Sequence, residues 1–190
     1  MKQAYSLQVF ILLLLAAACK GPEAKQGNTP PDTPLVVNTP PASSAMASNI
    51  VTTADYEIAI PQGWVRKDRV SGAYNLVMLV APRADNYSPN LNVLRDNMNG
   101  KSLDGYIRTN LEKMATMNLK DQRAGDMSIN GVHGKYLTYS YQIEGREISI
   151  KTYVVPKDGF AFVLTASCLL SQSATYMPQF DKLADTFKLK

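Results

Sequence analysis

The sequence contains little of the material from which catalytic and metal sites are built. Its 190 residues include one histidine, two cysteines and one tryptophan. A catalytic triad, a zinc site or a disulfide framework needs several such side chains, so the composition disfavours all three. The formal net charge of +4 is mild for this length and does not predict nucleic acid as a partner. Because 45% of the residues are hydrophobic, a wholly disordered chain is excluded, and the length suits one ordinary domain.

A short apolar run near the N-terminus ends in small residues and a cysteine. Lys2 precedes the run from Val9 to Leu15, and three alanines separate that run from Cys19. A positive start, a short apolar centre and small residues together indicate a secretory signal peptide over residues 1–18. The run is too short for a transmembrane helix, which takes about 20 apolar residues.

The stretch from Leu15 to Cys19 resembles the lipobox of bacterial lipoproteins, with Ala16 where leucine is usual. The resemblance implies cleavage before Cys19 and acylation of this residue, so that acyl groups anchor the chain in a membrane. Lys20 follows the cysteine, and similarity to the enterobacterial sorting rule then implies an outer-membrane anchor facing the periplasm. An ordinary secretory signal with a chance cysteine is the alternative.

Residues 19–54 differ sharply in composition from the rest of the chain. Six of the eleven prolines lie between residues 22 and 41, and neither a helical nor a strand period is present. Such a segment cannot bury an apolar face, so we expect a disordered, extended tether between the lipid and a folded domain. A docking segment for a proline-recognising partner is the alternative.

From Tyr56 onwards the pattern is rich in strands. Alternation of apolar and polar residues predicts half-buried strands, and a nearly continuous apolar run predicts a strand covered on both faces. Strands are expected over residues 56–60, 74–80, 91–95, 126–129, 136–143, 147–154 and 160–166.

Three short turn sequences separate the last four of these strands: Asn130-Gly131, Glu144-Gly145 and Asp158-Gly159. Asn-Gly and Asp-Gly supply the positive φ angles that tight hairpins need. Strands joined by such short turns cannot be parallel, because a parallel crossover takes a dozen or more residues. The second half of the domain is therefore predicted to be an antiparallel meander.

Two helices account for most of the remaining pattern. Ser102 can cap a helix whose apolar positions recur with helical spacing up to Met114. A second helix is expected to begin near Tyr176, with Pro178 in its first turn. The predicted fold class is α+β: an antiparallel sheet of six to seven strands with helices packed on its faces, an α/β/α sandwich.

The order of these elements resembles the PsbP-like proteins, in particular the bacterial envelope lipoproteins similar to DcrB. The resemblance covers about 135 residues, the predicted domain 55–190. It implies a sheet of about seven antiparallel strands with helices on both sides, and a non-enzymatic accessory role, without identifying any functional residue. The stretches that carry it are Tyr56–Trp64, Asn92-Val93, Ser102–Tyr106, Gly131–Tyr139, Gly159–Thr165 and Phe180–Phe187.

Two stretches of the predicted domain are candidate binding sites. Arg66, Lys67 and Arg69 form the densest basic spot, which is either a contact for anionic headgroups or a partner, or a plain solvated loop. Asp85 and Tyr87 lie in the polar loop 83–90 between two predicted core strands. Loops on a rigid scaffold often carry binding residues, although a plain polar connection is the alternative.

Other chemistry-bearing residues favour structural roles. His133 has no second ligand at a suitable spacing, so we expect an exposed turn histidine. If Cys19 carries lipid, Cys168 has no cysteine partner, and its place after an apolar run predicts burial. Trp64 is expected to cover an end of the sheet. The stretch 96–100 lacks the ligands of a calcium loop.

The sequence therefore predicts no enzyme, no cofactor and no metal site. The leading hypothesis is a lipid-anchored envelope protein whose single domain acts as an accessory or binding module, with an envelope protein as its partner. The second is a lipid-anchored carrier of a small apolar or metabolite ligand, in a cavity lined by Met78, Met114 and Tyr139. A cryptic hydrolase is the third.

Overall fold

The structure, a computed structural model, describes residues 49–71 and 74–190. The predicted signal peptide, Cys19 and nearly all of the predicted tether lie outside the described residues. Within the described ranges, ten strands and two α-helices are present. In chain order the elements are β1 (Ile50–Thr52), β2 (Tyr56–Ala59), β3 (Val65–Ser71), β4 (Tyr74–Val80), β5 (Asn90–Asn97), α1 (Leu103–Met114), β6 (Lys120–Ile129), β7 (Val132–Ile143), β8 (Arg146–Lys157), β9 (Phe160–Leu169), a 3₁₀ turn (Leu170–Gln172), α2 (Ser173–Ala184) and β10 (Lys188–Leu189).

The main sheet has the strand order β3-β4-β5-β9-β8-β7-β6, and all its neighbours are antiparallel. The predicted meander is confirmed as β6-β7-β8-β9. Each of its three turns has two residues, and both have positive φ, between 48° and 79°. This backbone twist matches that of the flanking strands, so the turn residues determine the register of the hairpins.

Layers cover both faces of the main sheet. Successive side chains of β9 point to opposite faces: Val163 joins the apolar cluster beneath α1, and Leu164 joins the cluster beneath α2. We name these the α1 face and the α2 face. A small sheet of order β1-β2-β10 also packs on the α2 face. The predicted α+β fold class, with helices on both faces of the sheet, is thereby confirmed.

Several element boundaries differ from the sequence prediction, among them the starts of α2 and β6. Helix α2 begins at Ser173, so Pro178 is not in its first turn but further along the helix, where its missing N–H leaves one helical carbonyl without its usual partner. Strand β6 begins at Lys120, six residues before the predicted strand, because exposed charged residues conceal the alternation.

The predicted junction of tether and domain, between residues 54 and 55, lies inside the small sheet. Ile50–Thr52 already form β1, paired with Glu57–Ala59 of β2. Val51 is buried against the α2-face cluster, so the folded part extends at least to β1. In the residues that the structure describes, no helix is long and apolar enough to cross a membrane.

Candidate binding surface

Strand β3 contains the basic spot Arg66, Lys67 and Arg69, for which a solvated loop is one of the two interpretations of the sequence. Instead of a loop, residues 65–71 pair with β4 in an uninterrupted register from Val65–Val80 to Ser71–Tyr74. Successive strand residues point to opposite faces, so this pairing divides the basic spot. Lys67 and Arg69 lie on the α1 face, and Arg66 lies on the α2 face.

Arg66 is neutralised by a neighbour on its own face. Its Nε donates to Asp68 Oδ1 at 2.8 Å, and its Nη2 donates to Asp68 Oδ2 at 2.7 Å. This two-pronged bond lowers the pKa of the Asp68 carboxyl. The two side chains are 38% and 57% exposed, so the pair contributes little to stability. Its main effect is that Arg66 no longer adds to the free positive charge of the strand.

Lys67 and Arg69 make no ion pair within residues 49–71 and 74–190. Both are exposed. Val65 and Val70 of the same strand are also exposed, by 51% and 72%. Strand β3 therefore presents two cations without an ion-pair partner among the described residues, beside exposed apolar side chains. This combination suits contact with a partner better than contact with water alone.

The loop 81–89 follows β4 at the end of the sheet where Val65 begins β3. Its tip is a two-residue turn in which Asp85 and Asn86 have φ of 51° and 58°. Ala84 and Tyr87 close the turn with two reciprocal backbone hydrogen bonds of 2.9 Å. Asn and Asp adopt this left-handed conformation more readily than other residues that carry side chains, which explains why the tip forms here.

Contacts from distant elements hold the loop in place. The hydroxyl of Tyr87 donates to Ser167 Oγ of β9 at 2.8 Å, and burial raises the pKa of this tyrosine. Gln172 Nε2 donates to Ala84 O and to Asp85 Oδ2, both at 3.2 Å. Arg146 Nη1 donates to Asn86 O at 3.3 Å. A preorganised loop loses less entropy on binding.

The structure therefore places the predicted site residues differently from one another. Lys67, Arg69 and Asp85 are at or near the surface, Arg66 is paired with a carboxylate, and Tyr87 is buried at 8% exposure. A molecule that meets the loop contacts the turn tip rather than the tyrosine ring. Cys19, the predicted lipidation site, lies outside the described residues.

The remaining chemistry-bearing residues occupy structural or solvated positions. His133 is 68% exposed, with Nε2 3.4 Å from Asp126 Oδ1. Cys168 is buried as predicted, and burial raises the pKa of its thiol to about 12. Trp64 packs edge-on against Phe180 with ring centroids 5.9 Å apart. Among the described residues no group of His, Cys, Asp and Glu is arranged to hold a metal ion.

Buried polar residues also lie on the α1 face, where no sequence pattern predicted a site. Asn92, Thr165 and Thr152 follow one another across β5, β9 and β8. Asn92 Oδ1 and Thr152 Oγ1 have no hydrogen-bond partner within the described part of the chain. The sequence signal for these residues was Thr152, a polar residue at an apolar position of the alternating stretch 148–154. Nearby, Asp96 accepts a 2.7 Å hydrogen bond from the Tyr106 hydroxyl.

A groove of about 330 Å³ also went unpredicted. It lies between the β6–β7 turn and β10. Its apolar walls come from residues that are far apart in sequence, and no local pattern reveals such a meeting. The lining side chains are Ile129, Asn130, Val132, Val155, Phe187, Lys188 and Leu189.

No protein-family model matches this chain, and no curated protein matches it in sequence. Solved structures do match. Cyanobacterial PsbP (CyanoP) from Synechocystis sp. PCC 6803 is 18% identical, with a TM-score of 0.55 over 78% of this chain and 97% of that one. LpqN of Mycobacterium tuberculosis, involved in cell envelope biogenesis, is 19% identical, with a TM-score of 0.53 over 71% and 83%.

PA94 of Pseudomonas aeruginosa, a protein of unknown function, is 16% identical to this chain, with a TM-score of 0.54 over 72% of this chain and 93% of that one. At such identities the likeness concerns the fold, because one fold carries many functions. The domain has a PsbP-like fold. The narrower resemblance to DcrB-like lipoproteins stays a prediction.

Proposed function

We propose that this chain is a non-enzymatic, lipid-anchored accessory protein of the bacterial cell envelope, whose PsbP-like domain binds a protein partner. The anchor is Cys19, in the outer membrane, and the tether holds the domain in the periplasm. The contact surface is formed by β3 and the loop 81–89. The proposal combines the lipid anchor that the sequence predicts at the N-terminus with the exposed surface of β3 and the loop 81–89.

The observation that carries the binding role is the state of Lys67 and Arg69. Both are exposed on an edge strand and unpaired within the described ranges, whereas the neighbouring Arg66 has a carboxylate partner. Unpaired surface charges contribute mainly to the rate and specificity of association. They are flanked by exposed valines and by a loop fixed through Tyr87, Gln172 and Arg146, features that favour a protein interface.

Two further considerations support the envelope role. A lipobox directs a protein to export and to membrane anchoring, so the lipobox-like residues before Cys19 favour an envelope location. LpqN, which has the same fold, is involved in cell envelope biogenesis in its own organism.

The proposal is tested by crosslinking in intact bacterial cells that make the protein. The wild-type chain is compared with Cys19→Ser, which removes the lipid, and with Lys67→Glu/Arg69→Glu, which reverses the charge of β3. The matched control is Lys101→Glu/Arg108→Glu, which reverses an exposed lysine just before α1 and an exposed arginine on it. We expect one envelope protein to be captured by the wild type and the control only. Equal capture by all four chains would contradict the proposal.

A ligand-carrying role is the second candidate, and the buried Asn92 favours it. A buried amide oxygen without a hydrogen-bond donor costs about 1–3 kcal/mol of free energy. A bound molecule that donates a hydrogen bond to this oxygen would recover about that amount as binding free energy. Met114 and Tyr139 of the expected cavity are buried on the same face, and Met78 is half-buried. Native mass spectrometry of the gently extracted protein tests it: a retained small molecule, lost with Asn92→Leu, supports the carrier role.

A further inference from the structure

The two edges of the main sheet differ in how readily they accept another strand. Among the described residues, these edges are β3 and β6. The β6 edge is irregular, since its register with β7 shifts between Lys120 and Arg123. Natural edge strands use such bulges to prevent pairing with other chains. Strand β3 has no such shift over its seven paired residues.

From this difference and the charge of the strand, we propose that β3 accepts an extended acidic segment of a partner protein as an additional strand of the sheet. Backbone hydrogen bonds along the open edge hold such a segment, and side chains at alternate positions select it. The inference rests on the proposed function, because it identifies the class of partner segment that the same surface takes.

The side chains of β3 define what the segment must carry. Lys67 and Arg69 lie two residues apart on the α1 face, so they match two carboxylates with the same spacing on the added strand. Val70 lies on the opposite face and is 72% exposed, which matches an apolar residue there. With Arg66 and Asp68 compensating each other, the strand has an excess of two positive charges.

The same charges disfavour a second copy of this chain as the occupant. Symmetric antiparallel pairing of two β3 strands brings each residue opposite a residue on the same face. A register centred on Arg66, Lys67 or Arg69 places two copies of that cation opposite each other. A register centred on Asp68 pairs the two aspartates and sets Lys67 against Arg69. Registers centred on Val65, Val70 or Ser71 avoid these contacts, but they pair at most three residues of each β3. Because directly opposed like charges are destabilising, the longer registers are disfavoured for a second copy, and an acidic chain is the favoured occupant.

The test uses the full chain in detergent and three blocked ten-residue peptides as probes. In the first peptide, glutamate alternates with valine and threonine. The second has lysine in place of each glutamate, and the third keeps the glutamates but has prolines at two central positions, which removes backbone donors. Fluorescence anisotropy measures the dissociation constant at low and at physiological salt, and hydrogen exchange measures protection over residues 65–71 and 120–129.

We expect the acidic peptide to bind, and its affinity to fall with added salt. The lysine and proline peptides should bind at least about tenfold more weakly. Lys67→Glu/Arg69→Glu should reverse the preference between the acidic and lysine peptides, whereas Lys101→Glu/Arg108→Glu should not. Protection should increase over 65–71 alone.

Several results would overturn the inference. These are binding that is indifferent to the prolines, protection over 120–129 instead of 65–71, and amides of 65–71 that show full protection before any peptide is added. A fourth is protection of 65–71 by anionic phospholipid vesicles but by none of the peptides, which would make β3 a membrane contact. If the crosslinking experiment captures a partner while these peptides fail, the proposed function stands and the acidic-strand inference falls.

Discussion

The side-chain amide of Asn130 donates a hydrogen bond to the carbonyl oxygen of Phe187 across 2.6 Å. Asn130 is the first residue of the β6–β7 turn, and Phe187 directly precedes β10. The same amide also donates to Asp185 O at 3.1 Å. A turn residue predicted from its backbone preference therefore also holds the C-terminal segment against the hairpin.

Substitutions at Asn130 separate these two roles. Asn130→Gly retains the left-handed conformation but removes both hydrogen bonds, so we expect a loss of about 1–2 kcal/mol in the free energy of unfolding. Asn130→Ala also strains the backbone at φ 48° and should cost about 1 kcal/mol more. Urea titration measures both. Asp158→Gly, at the same position of the β8–β9 turn, is the control and should be nearly neutral; an equal effect at the two turns would contradict this assignment.

Gly134 in β7 allows a close approach between backbones. A Cβ atom added there would lie 2.5 Å from Val154 O of β8, and a backbone carbonyl in a paired strand cannot move away easily. We expect Gly134→Ala to destabilise the domain by about 1–3 kcal/mol. In contrast, Gly105→Ala in α1 meets nothing closer than 3.4 Å and should stabilise by up to about 1 kcal/mol. Thermal unfolding compares the two, and the same sign for both would refute the prediction.

The buried thiol of Cys168 should make the domain sensitive to alkali. Burial raises its pKa from 9.0 to about 12, so the folded state favours the neutral thiol. That contribution is complete below pH 9 and is lost as the pH rises from 9 to 12, at about 1.4 kcal/mol per unit. Cys168→Ala removes this titration. Urea unfolding from pH 8 to 11 should therefore show a shallower decline for the variant, and parallel curves would exclude Cys168 as the cause.

Asp181 joins helix α2 to β8. Its Oδ1 accepts hydrogen bonds from the Tyr153 hydroxyl at 2.6 Å and from Lys151 Nζ at 2.5 Å. Burial together with the Asp181 carboxylate raises the pKa of Tyr153. We expect Tyr153→Phe to lower the free energy of unfolding by about 1–2 kcal/mol. The control Tyr176→Phe alters a tyrosine of α2 whose hydroxyl makes no hydrogen bond to the described residues. Equal effects in chemical denaturation would count against the Asp181 contact.

The sequence alone was enough to predict most of the main sheet. The alternation 148–154, the turn pairs such as Asn130-Gly131 and the cap at Ser102 act over a few residues, so each can be recognised locally. The burial of Cys168 was predicted from the apolar run 160–166 that precedes it. The N-terminal expectations, including lipidation of Cys19, also depend on local residues, and they stay predictions because they fall outside the described ranges.

The candidate site was decided by tertiary structure. Residues 65–71 have no apolar alternation, and they form a strand because the backbone of β4 lies beside them. Only that pairing separates Lys67 and Arg69 from Arg66. Likewise, Tyr87 can be buried because Ser167, 80 positions away, accepts a hydrogen bond from its hydroxyl. A sequence pattern shows which face of a strand each side chain takes, but a partner strand or a buried acceptor far along the chain leaves no local trace.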